Sequence, residues 1–285
     1  MRSITLNGPA KINLYLDVIN KRSDGFHNIV TIFQRINLYD SIKVSIIPRG
    51  VVFNCSYPHL PKGPANIAFK AARLMIKEFN LSKGVRLALK KRIPVAAGLG
   101  GGSSDAASVI LGINKLFGLK ATPGHILRLA KTIGADVPFF ISGYSCAVGR
   151  GVGDRLKEVS NSLSFYILLL IPNIRVYTKT IYNRVRLPLT KPAVNVNILA
   201  RILAGKCKDE ALASSLYNRF EEIVLPLYPI IKKAKEEMSL YTDRVLLSGS
   251  GPTIFGLFSV RKEAIEAAKK IRREGKWQTV LTKVV

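Results

Sequence analysis

PVAAGLGGGSSDAA, residues 94–107, is the stretch of this 285-residue sequence that says most about its fold. It places four glycines within positions 98–102, and such a run lets the backbone turn tightly with no side chains in the way. An apolar repeat at three- and four-residue spacing follows and predicts a helix from about Ser104 to Phe117. A helix N-terminus offers unpaired N–H groups and the positive end of the helix dipole. The stretch therefore predicts a phosphate-binding loop, with Ser103 or Ser104 at the start of the helix.

This stretch has two other possible interpretations. It is not a Walker A motif, because no Gly-Lys-Ser/Thr follows the glycines. A flexible turn with a serine N-cap is the plain structural alternative. The density of glycines directly before a well-formed helix favours the phosphate loop.

The remainder of the chain alternates between strand and helix patterns. Residues 1–55 and 85–89 show strand periodicity, and residues 66–79 and 122–132 show helix periodicity. The second half combines an apolar strand at 166–171 with helices near Asn197, Asp209 and Pro226. Strands at 245–247 and 253–258, a helix at 262–274 and a strand at 279–284 complete it. The pattern predicts an α+β fold with two domains, residues 1–158 and 159–285.

Three shorter segments carry polar residues in unexpected places. Lys11 interrupts an alternating strand in PAKIN, Asp136 lies between a helix end and an apolar run in GADVPFF, and residues 248–251 form a Gly-Ser turn between two apolar strands. Each has an ordinary structural explanation: a surface lysine, a capping aspartate and a simple turn. Their order along the chain, together with the glycine loop, favours function.

Composition excludes several protein classes. With 48% hydrophobic residues the chain has enough apolar side chains for a large core. Its apolar runs are too short to cross a bilayer, and no signal segment is evident at the N-terminus. The three scattered cysteines predict free thiols in a reducing cytoplasm, and no Cys/His spacing suggests a metal site. The net charge of +26 leaves an RNA-binding protein as the rival outside the enzyme class.

Four elements come in an order that resembles the GHMP kinase superfamily: the lysine of PAKIN, the glycine loop, the aspartate of GADVPFF and the late Gly-Ser turn. Four segments carry a resemblance to one subfamily in order and spacing: PAKIN, RSDGFH (residues 22–27), PVAAGLGGGSSDAA and GADVPFF. Within the superfamily, these segments are most similar to the kinases that phosphorylate 4-diphosphocytidyl-methylerythritol, a cytidine diphosphate ester. The resemblance runs from about residue 4 to residue 260, and RSDGFH is its most specific element. Another GHMP kinase with a different alcohol substrate is the alternative within the enzyme class.

This resemblance implies a two-domain GHMP kinase fold with an S5-like N-terminal domain and a ferredoxin-like C-terminal domain. It implies transfer of the ATP γ-phosphoryl group to the 2-hydroxyl of the ester, with Mg²⁺ bridging ATP oxygens. The partners implied are these small molecules, with no membrane and no nucleic acid, and the protein is a monomer or a homodimer.

The resemblance also implies roles for individual residues. Lys11 and Asp136 match the catalytic pair, with Asp136 as general base. ATP-binding positions are Asn66, Lys91, Pro94, Gly98, Leu99, Gly100, Gly101, Gly102, Ser103 and Ser104. Substrate-binding positions are Asn13, Phe26, His27, Tyr182, Gly249, Ser250 and Gly251. His27 reads the cytosine edge while Phe26 and Tyr182 stack on the ring; the family more often has tyrosine at position 26, and Tyr182 has core packing as its alternative role. Ser104 is a candidate Mg²⁺ contact.

Overall fold

A computed structural model describes residues 2–185, 195–206, 209–273, 275 and 277–285. Two predictions concern residues outside the described ranges: the free thiol of Cys207 and the end of the last helix at Glu274. By internal contacts the chain divides into two compact units, and strands β1 and β2 contribute residues to both. The first unit contains the described residues of Met1–Ala10, Leu38–Val95 and Gly100–Tyr144, and the second those of Lys11–Asn37, Ala96–Leu99 and Ser145–Val285. The predicted division at residues 158 and 159 stays a prediction.

The first half of the chain contains four strands and four helices. Their bounds are Ser3–Lys21 (β1), His27–Ile47 (β2), Val51–Cys55 (β3), Ile67–Glu78 (α1), Gly84–Lys90 (β4), Gly101–Phe117 (α2), Pro123–Ile133 (α3) and Val137–Ser142 (α4). In the first unit β4 pairs antiparallel with β2 and parallel with β3. Alternation in β4 buries Val85, Leu87 and Leu89. Helices α1 and α2 pack on each other, and α2 also packs on α4.

The second half adds seven strands and six α-helices among the described residues. Their bounds are Cys146–Gly151 (β5), Arg155–Glu158 (β6), Tyr166–Ile171 (β7), Thr178–Asn183 (α5), Val196–Leu203 (α6), Leu212–Ser215 (α7), Tyr217–Asn218 (β8), Glu221–Leu227 (α8), Pro229–Ser239 (α9), Val245–Leu247 (β9), Ile254–Phe258 (β10), Arg261–Arg273 (α10) and Gln278–Lys283 (β11). A 3₁₀ helix at Asp209–Ala211 precedes α7.

Two sheets organise the second unit. In one, β5 pairs with β2 and β6, and β8 pairs in parallel with β1. The other is an antiparallel sheet in the order β11-β7-β10-β9. Helices α9 and α10 pack on this second sheet, with Ile231, Met238 and Ile271 in the shared core. The predicted mixture of strands and helices in one α+β protein is confirmed.

Side chains cap the N-termini of three described helices, α1, α3 and α6. Thr122 accepts a hydrogen bond from the His125 N–H at 3.3 Å and Pro123 follows at the first helical position, as predicted. The predicted start of α2 at Ser103 or Ser104 is wrong by two or three residues, because the helix begins at Gly101. Gly100, with φ of 69°, is its N-cap, and no side chain of the described residues caps it. Glycine takes this left-handed conformation without strain, so the helix can begin before the serines. Ser103 and Ser104 therefore lie inside its first turn.

Candidate active site

The N-terminus of α2 has the features of an anion site. Its first N–H groups have no partner inside the helix by the geometry of any α-helix. The Ser104 N–H already bonds to the Gly100 carbonyl at 3.0 Å, which leaves the N–H groups of the preceding glycines and Ser103 at the open end. Gly102 is exposed, and Ser103 is half-buried. The predicted phosphate loop therefore has donors at its helical end.

Ser104 lies deeper than a surface contact. Its side chain is buried, and its Oγ has no hydrogen-bond partner within the described part of the chain. A Cβ at Gly8 would lie 2.7 Å from this oxygen, so glycine is needed there for the close approach. A buried hydroxyl without a partner is uncommon. This orphaned oxygen fits the predicted Mg²⁺ contact.

Lys91, one of the predicted ATP-binding residues, belongs to a buried ionic cluster under the first turn of α2. Its ammonium pairs with Asp40 and lies 3.0 Å from Asp105 Oδ2. Asp40 also accepts the N–H groups of Arg92 and Ile93 at 2.6 and 2.9 Å. A Cβ at Gly101 would lie 3.0 Å from Ile93 Cγ2 and 3.1 Å from the Lys91 ammonium, so this glycine allows a close approach of both side chains without a left-handed backbone.

The two carboxyl groups of this cluster differ in their surroundings. Burial, followed in effect by the negative charge of Asp40, raises the pKa of Asp105 to about 7, against the opposing effect of Lys91. Asp40 accepts three hydrogen bonds, whereas Asp105 Oδ1 has no partner among the residues described. Asp105 therefore holds a proton more readily than an ordinary aspartate. Neither aspartate was identified from sequence, although Asp105 lies within the quoted motif and interrupts a small-residue helix face.

Three more predicted site residues lie in the first unit: Asn66 and Pro94, predicted to bind ATP, and Asp136, predicted to be the general base. Asn66 caps α1, with its Oδ1 accepting the Ala68 N–H at 2.9 Å. Pro94 is half-buried in the segment before the glycines. Asp136 is half-buried at the N-cap position of α4. The structure describes Asp136 in the first unit and Lys11 in the second, so their pairing stays a prediction.

Lys11 is buried within the second unit. Its ammonium donates a 2.6 Å hydrogen bond to Asn13 Oδ1 and lies 5.5 Å from the centre of the Phe33 ring. Its backbone N–H bonds to the Leu99 carbonyl at 3.0 Å, which joins β1 to the glycine-rich segment. The side chain of Leu99 is buried. The surface-lysine interpretation is wrong, because Lys11 is 4% exposed.

The late Gly-Ser turn packs against the same group. A Cβ at Gly249 would lie 3.5 Å from both the Lys11 ammonium and Asn13 Oδ1. Ser248 Oγ donates to the Gly98 carbonyl at 3.0 Å, and a Cβ at Gly98 would lie 2.2 Å from the Ser248 carbonyl oxygen. Ser250 bonds to Thr178, and the Gly251 N–H closes the turn on the Ser248 carbonyl at 3.0 Å. The structure thus brings together Lys11, Asn13, Gly98 and the turn.

Asn218 holds this turn and was missed from sequence. Its Nδ2 donates to the carbonyls of Leu247 and Gly249 at 2.7 and 2.8 Å, while its Oδ1 accepts the Phe220 N–H at 3.0 Å. No local pattern distinguishes such a residue from any polar residue at the end of a short strand.

The RSDGFH segment forms a closed turn that presents an aromatic ring. Arg22 and Asp24 are paired at 2.8 Å, and Asp24 also accepts the Phe26 N–H at 3.1 Å. Phe26 is 62% exposed, which is unusual for so large an apolar side chain. Because the turn holds it outward, the ring is available for stacking.

His27 and Tyr182 lie together behind this turn. Their ring centroids are 5.2 Å apart, and Tyr182 makes an edge contact with Phe220 at 4.8 Å. Burial, and secondarily Lys21, lowers the pKa of His27 below its ordinary value of 6.5, so the imidazole is neutral at pH 7. A neutral imidazole offers one donor and one acceptor, as reading a base edge requires. These contacts agree with the packing role of Tyr182, and its stacking on cytosine stays a prediction.

Comparison with known proteins places the chain in a class. Residues 66–144 match the sequence model described as GHMP kinases N terminal domain, and residues 203–276 match the one described as GHMP kinases C terminal. The chain belongs to the GHMP kinase family, as the sequence predicted.

Kinases that share one name are similar to this chain over nearly its full length. The 4-diphosphocytidyl-2-C-methyl-D-erythritol kinase of Syntrophus aciditrophicus is 38% identical over 94% of this chain and 95% of its own length. The protein of the same name from Geobacter metallireducens is 38% identical over the whole of both chains. A solved 4-(cytidine 5'-diphospho)-2C-methyl-D-erythritol kinase structure matches with a TM-score of 0.80 at 34% identity over 99% of both chains.

More distant structures share the fold. A homoserine kinase from Cytophaga hutchinsonii matches with a TM-score of 0.76 at 19% identity, covering all of this chain and 95% of its own.

No described helix is long and apolar enough to cross a membrane. The described residues also contain no cluster of three or more His, Cys, Asp or Glu side chains arranged to hold a metal.

Proposed function

We propose that this protein transfers the γ-phosphoryl group of ATP to the 2-hydroxyl of 4-diphosphocytidyl-2-C-methyl-D-erythritol, a step in isoprenoid precursor synthesis. The observation that carries the proposal is the full-length similarity to kinases of that name. Three features suit this chemistry: the Phe26 ring is exposed, the His27 imidazole is neutral, and the Lys11 ammonium is hydrogen-bonded to Asn13.

In the proposed reaction Asp136 accepts the proton of the substrate hydroxyl while the oxygen of that hydroxyl attacks the γ-phosphorus. The bond from that phosphorus to the β–γ bridging oxygen breaks, and ADP leaves. Lys11 offsets negative charge that develops on the transferring group. Gly98, Leu99 and residues 100–104 hold the phosphates, and Asn66, Lys91 and Pro94 line the base end of the nucleotide. Asn13 and residues 249–251 contact the substrate, and Phe26, Tyr182 and His27 hold its cytosine.

GHMP kinases use ATP as the phosphate donor, and Mg²⁺ is part of the proposal. Mg²⁺ is typically held by substrate phosphates and one or two protein oxygens. Ser104 Oγ, buried and without a partner among the described residues, fits such a contact. When bound, the ion supplies positive charge at the phosphate oxygens. We also propose a cytoplasmic protein, monomeric or dimeric, that does not act on nucleic acid.

A transfer assay with competing acceptors tests the proposal. ATP is supplied with the cytidine diphosphate ester, homoserine or mevalonate, and ADP and the ³¹P signal of a new phosphomonoester are measured. We expect transfer with the ester alone. Transfer to homoserine or mevalonate in its place would contradict the substrate assignment. RNA affinity that is sequence-selective at physiological salt, paired with no transfer, would support the RNA-binding rival.

A further inference from the structure

Thr31 lies at the end of a hydrogen-bonded chain that leads to the Lys11 ammonium. Its side chain is fully buried on β2. The Thr31 hydroxyl bonds to the Tyr15 carbonyl at 2.7 Å, and Asn13 Nδ2 bonds to the same hydroxyl at 2.8 Å. Asn13 Oδ1 in turn accepts from the Lys11 ammonium at 2.6 Å. The four residues belong to one compact unit.

The chemistry of these groups fixes the direction of each bond. A carbonyl oxygen accepts and cannot donate, so the Thr31 hydroxyl proton points to Tyr15. The hydroxyl oxygen is then left as an acceptor, and it must receive an N–H from Asn13. That orientation turns the Asn13 carbonyl oxygen toward Lys11, whose ammonium can only donate.

A flipped Asn13 amide would break this chain at both ends. Its NH₂ group would face an ammonium, and its oxygen would face a hydroxyl whose proton is already engaged. Since Asn13 and Lys11 are 1% and 4% exposed, water cannot readily replace the lost bonds. The Thr31 hydroxyl therefore selects one orientation of the amide.

We infer that Thr31 is a positioning residue for phosphoryl transfer: its hydroxyl orients the Asn13 amide, and the amide holds the Lys11 ammonium in place. The inference rests on the proposed function for its kinetic consequence. Its structural content, the order imposed on Asn13, stands on the hydrogen bonds alone.

The kinetic test compares Thr31→Val, which keeps the shape and removes the hydroxyl, with Thr31→Ser, which keeps the hydroxyl. We expect Thr31→Val to lower kcat about tenfold, because both buried hydrogen bonds of this hydroxyl are lost and Asn13 Nδ2 no longer has it as an acceptor. The KM for ATP should change little, and Thr31→Ser should stay within about twofold of wild type. If Thr31→Val does not fold, the pair Thr31→Ala and Thr31→Ser differs by the same hydroxyl.

A matched control and a double mutant separate positioning from simple stability. Thr242 also donates its hydroxyl to a carbonyl, that of Leu257 at 2.9 Å, outside this chain of bonds. Thr242→Val should therefore leave kcat unchanged. In an Asn13→Ala background, Thr31→Val should cost less than about twofold, because it acts through Asn13. An unchanged kcat for Thr31→Val, or an equal loss in both backgrounds, would overturn the inference.

A third measurement does not depend on activity. The side-chain NH₂ signals of Asn13, assigned by their loss in Asn13→Ala, should exchange slowly with solvent in wild type and in Thr31→Ser. They should exchange faster in Thr31→Val. Equal exchange in all three would contradict the inference even if no kinase activity were found, whereas absence of transfer by wild type would contradict the proposed function.

Discussion

Lys11 shows how a single charged residue is kept inside a buried strand. An unpaired ammonium in this environment would be costly. Asn13 provides a carbonyl oxygen at 2.6 Å and Phe33 provides the negative face of its ring, so the charge is stabilised where it is needed. Phe26 is the opposite case, an apolar ring held in solvent by the hydrogen bonds of its turn. Both residues are placed against their ordinary preference, which is typical of functional positions.

Asp136 is expected to be needed for chemistry and not for nucleotide binding. Asp136→Asn keeps the size of the side chain and removes the general base, so kcat should fall roughly 10²–10⁴-fold. The dissociation constant for ATP, measured by calorimetry, should stay close to that of wild type. Activity within a few-fold of wild type would exclude Asp136 as the base.

Phe26 is expected to contribute to recognition of the cytidine substrate. Phe26→Ala removes a stacking surface worth ~0.5–1.5 kcal/mol beyond area burial, so KM for the ester should rise about tenfold or more. Phe26→Tyr keeps the ring, so its KM for the ester should stay close to that of wild type. The KM for ATP should not change in either variant. An unchanged KM for the ester in Phe26→Ala would show that the exposed ring does not stack on cytosine.

At the scale of elements, function depends on where helices and turns begin. Helix α2 begins at Gly101 because Gly100 adopts a left-handed conformation. The turn that follows β9 is fixed by Asn218 and presses on the Gly98 backbone. The glycines of this loop are thus required for two different reasons, positive φ at Gly98 and Gly100 and close packing at Gly101.

Gly98→Ala tests the contact between the loop and the turn. The new methyl group would lie 2.2 Å from the Ser248 carbonyl oxygen and would occupy a φ of 73°, so one of the two backbones must move. We expect a loss of kcat/KM of at least about tenfold, equivalent to ~1.4 kcal/mol of transition-state stabilisation. Gly124→Ala in α3 is the matched control, because among the described residues no atom outside the local helix backbone lies within 4 Å of the added Cβ. Equal activity of the two variants would show that the contact does not constrain the loop.

At the scale of the whole molecule, charge has both a general and a local aspect. The net charge of +26 creates a positive field that favours the encounter with anionic substrates. The Lys91, Asp40 and Asp105 cluster is instead buried, and it affects the free energy of unfolding through protonation. A carboxyl group whose pKa is about 7 when folded and 3.8 in the reference state binds a proton in the folded protein between these values.

This cluster predicts how stability depends on pH. The contribution of Asp105 is fully present at pH below about 4 and decreases as pH rises toward 7, at up to about 1.4 kcal/mol per pH unit. Asp105→Asn removes this titration, so the melting temperature of wild type relative to the variant should fall between pH 5 and pH 7 and then level off. Asp24→Asn, at an exposed carboxyl whose pKa is lowered by Arg22, should run parallel to wild type over that range. Parallel curves for Asp105→Asn as well would contradict the raised pKa of Asp105.

Much of the fold was predictable because its signals are local. Alternation in β4, the Thr122-Pro123 cap and the glycines before α2 each specify structure within a few residues. The start of α2 was misplaced because serine is a common N-cap, whereas here a left-handed glycine takes that position. Motif order along the chain was enough to predict the family, since it samples residues from position 11 to position 251.

The sequence by itself determined the α+β class, the glycine loop and the identity of the residues proposed for chemistry. Tertiary structure alone decided that Lys11 is buried beside Asn13 and the late turn, that Lys91 is paired with two aspartates, and that Thr31 and Asn218 support the site. Several of these contacts join residues far apart in sequence, 18 positions for Asn13 with Thr31 and 31 positions for Asn218 with Gly249. Their energies depend on burial and on hydrogen-bond direction, and neither quantity exists until the strands have paired.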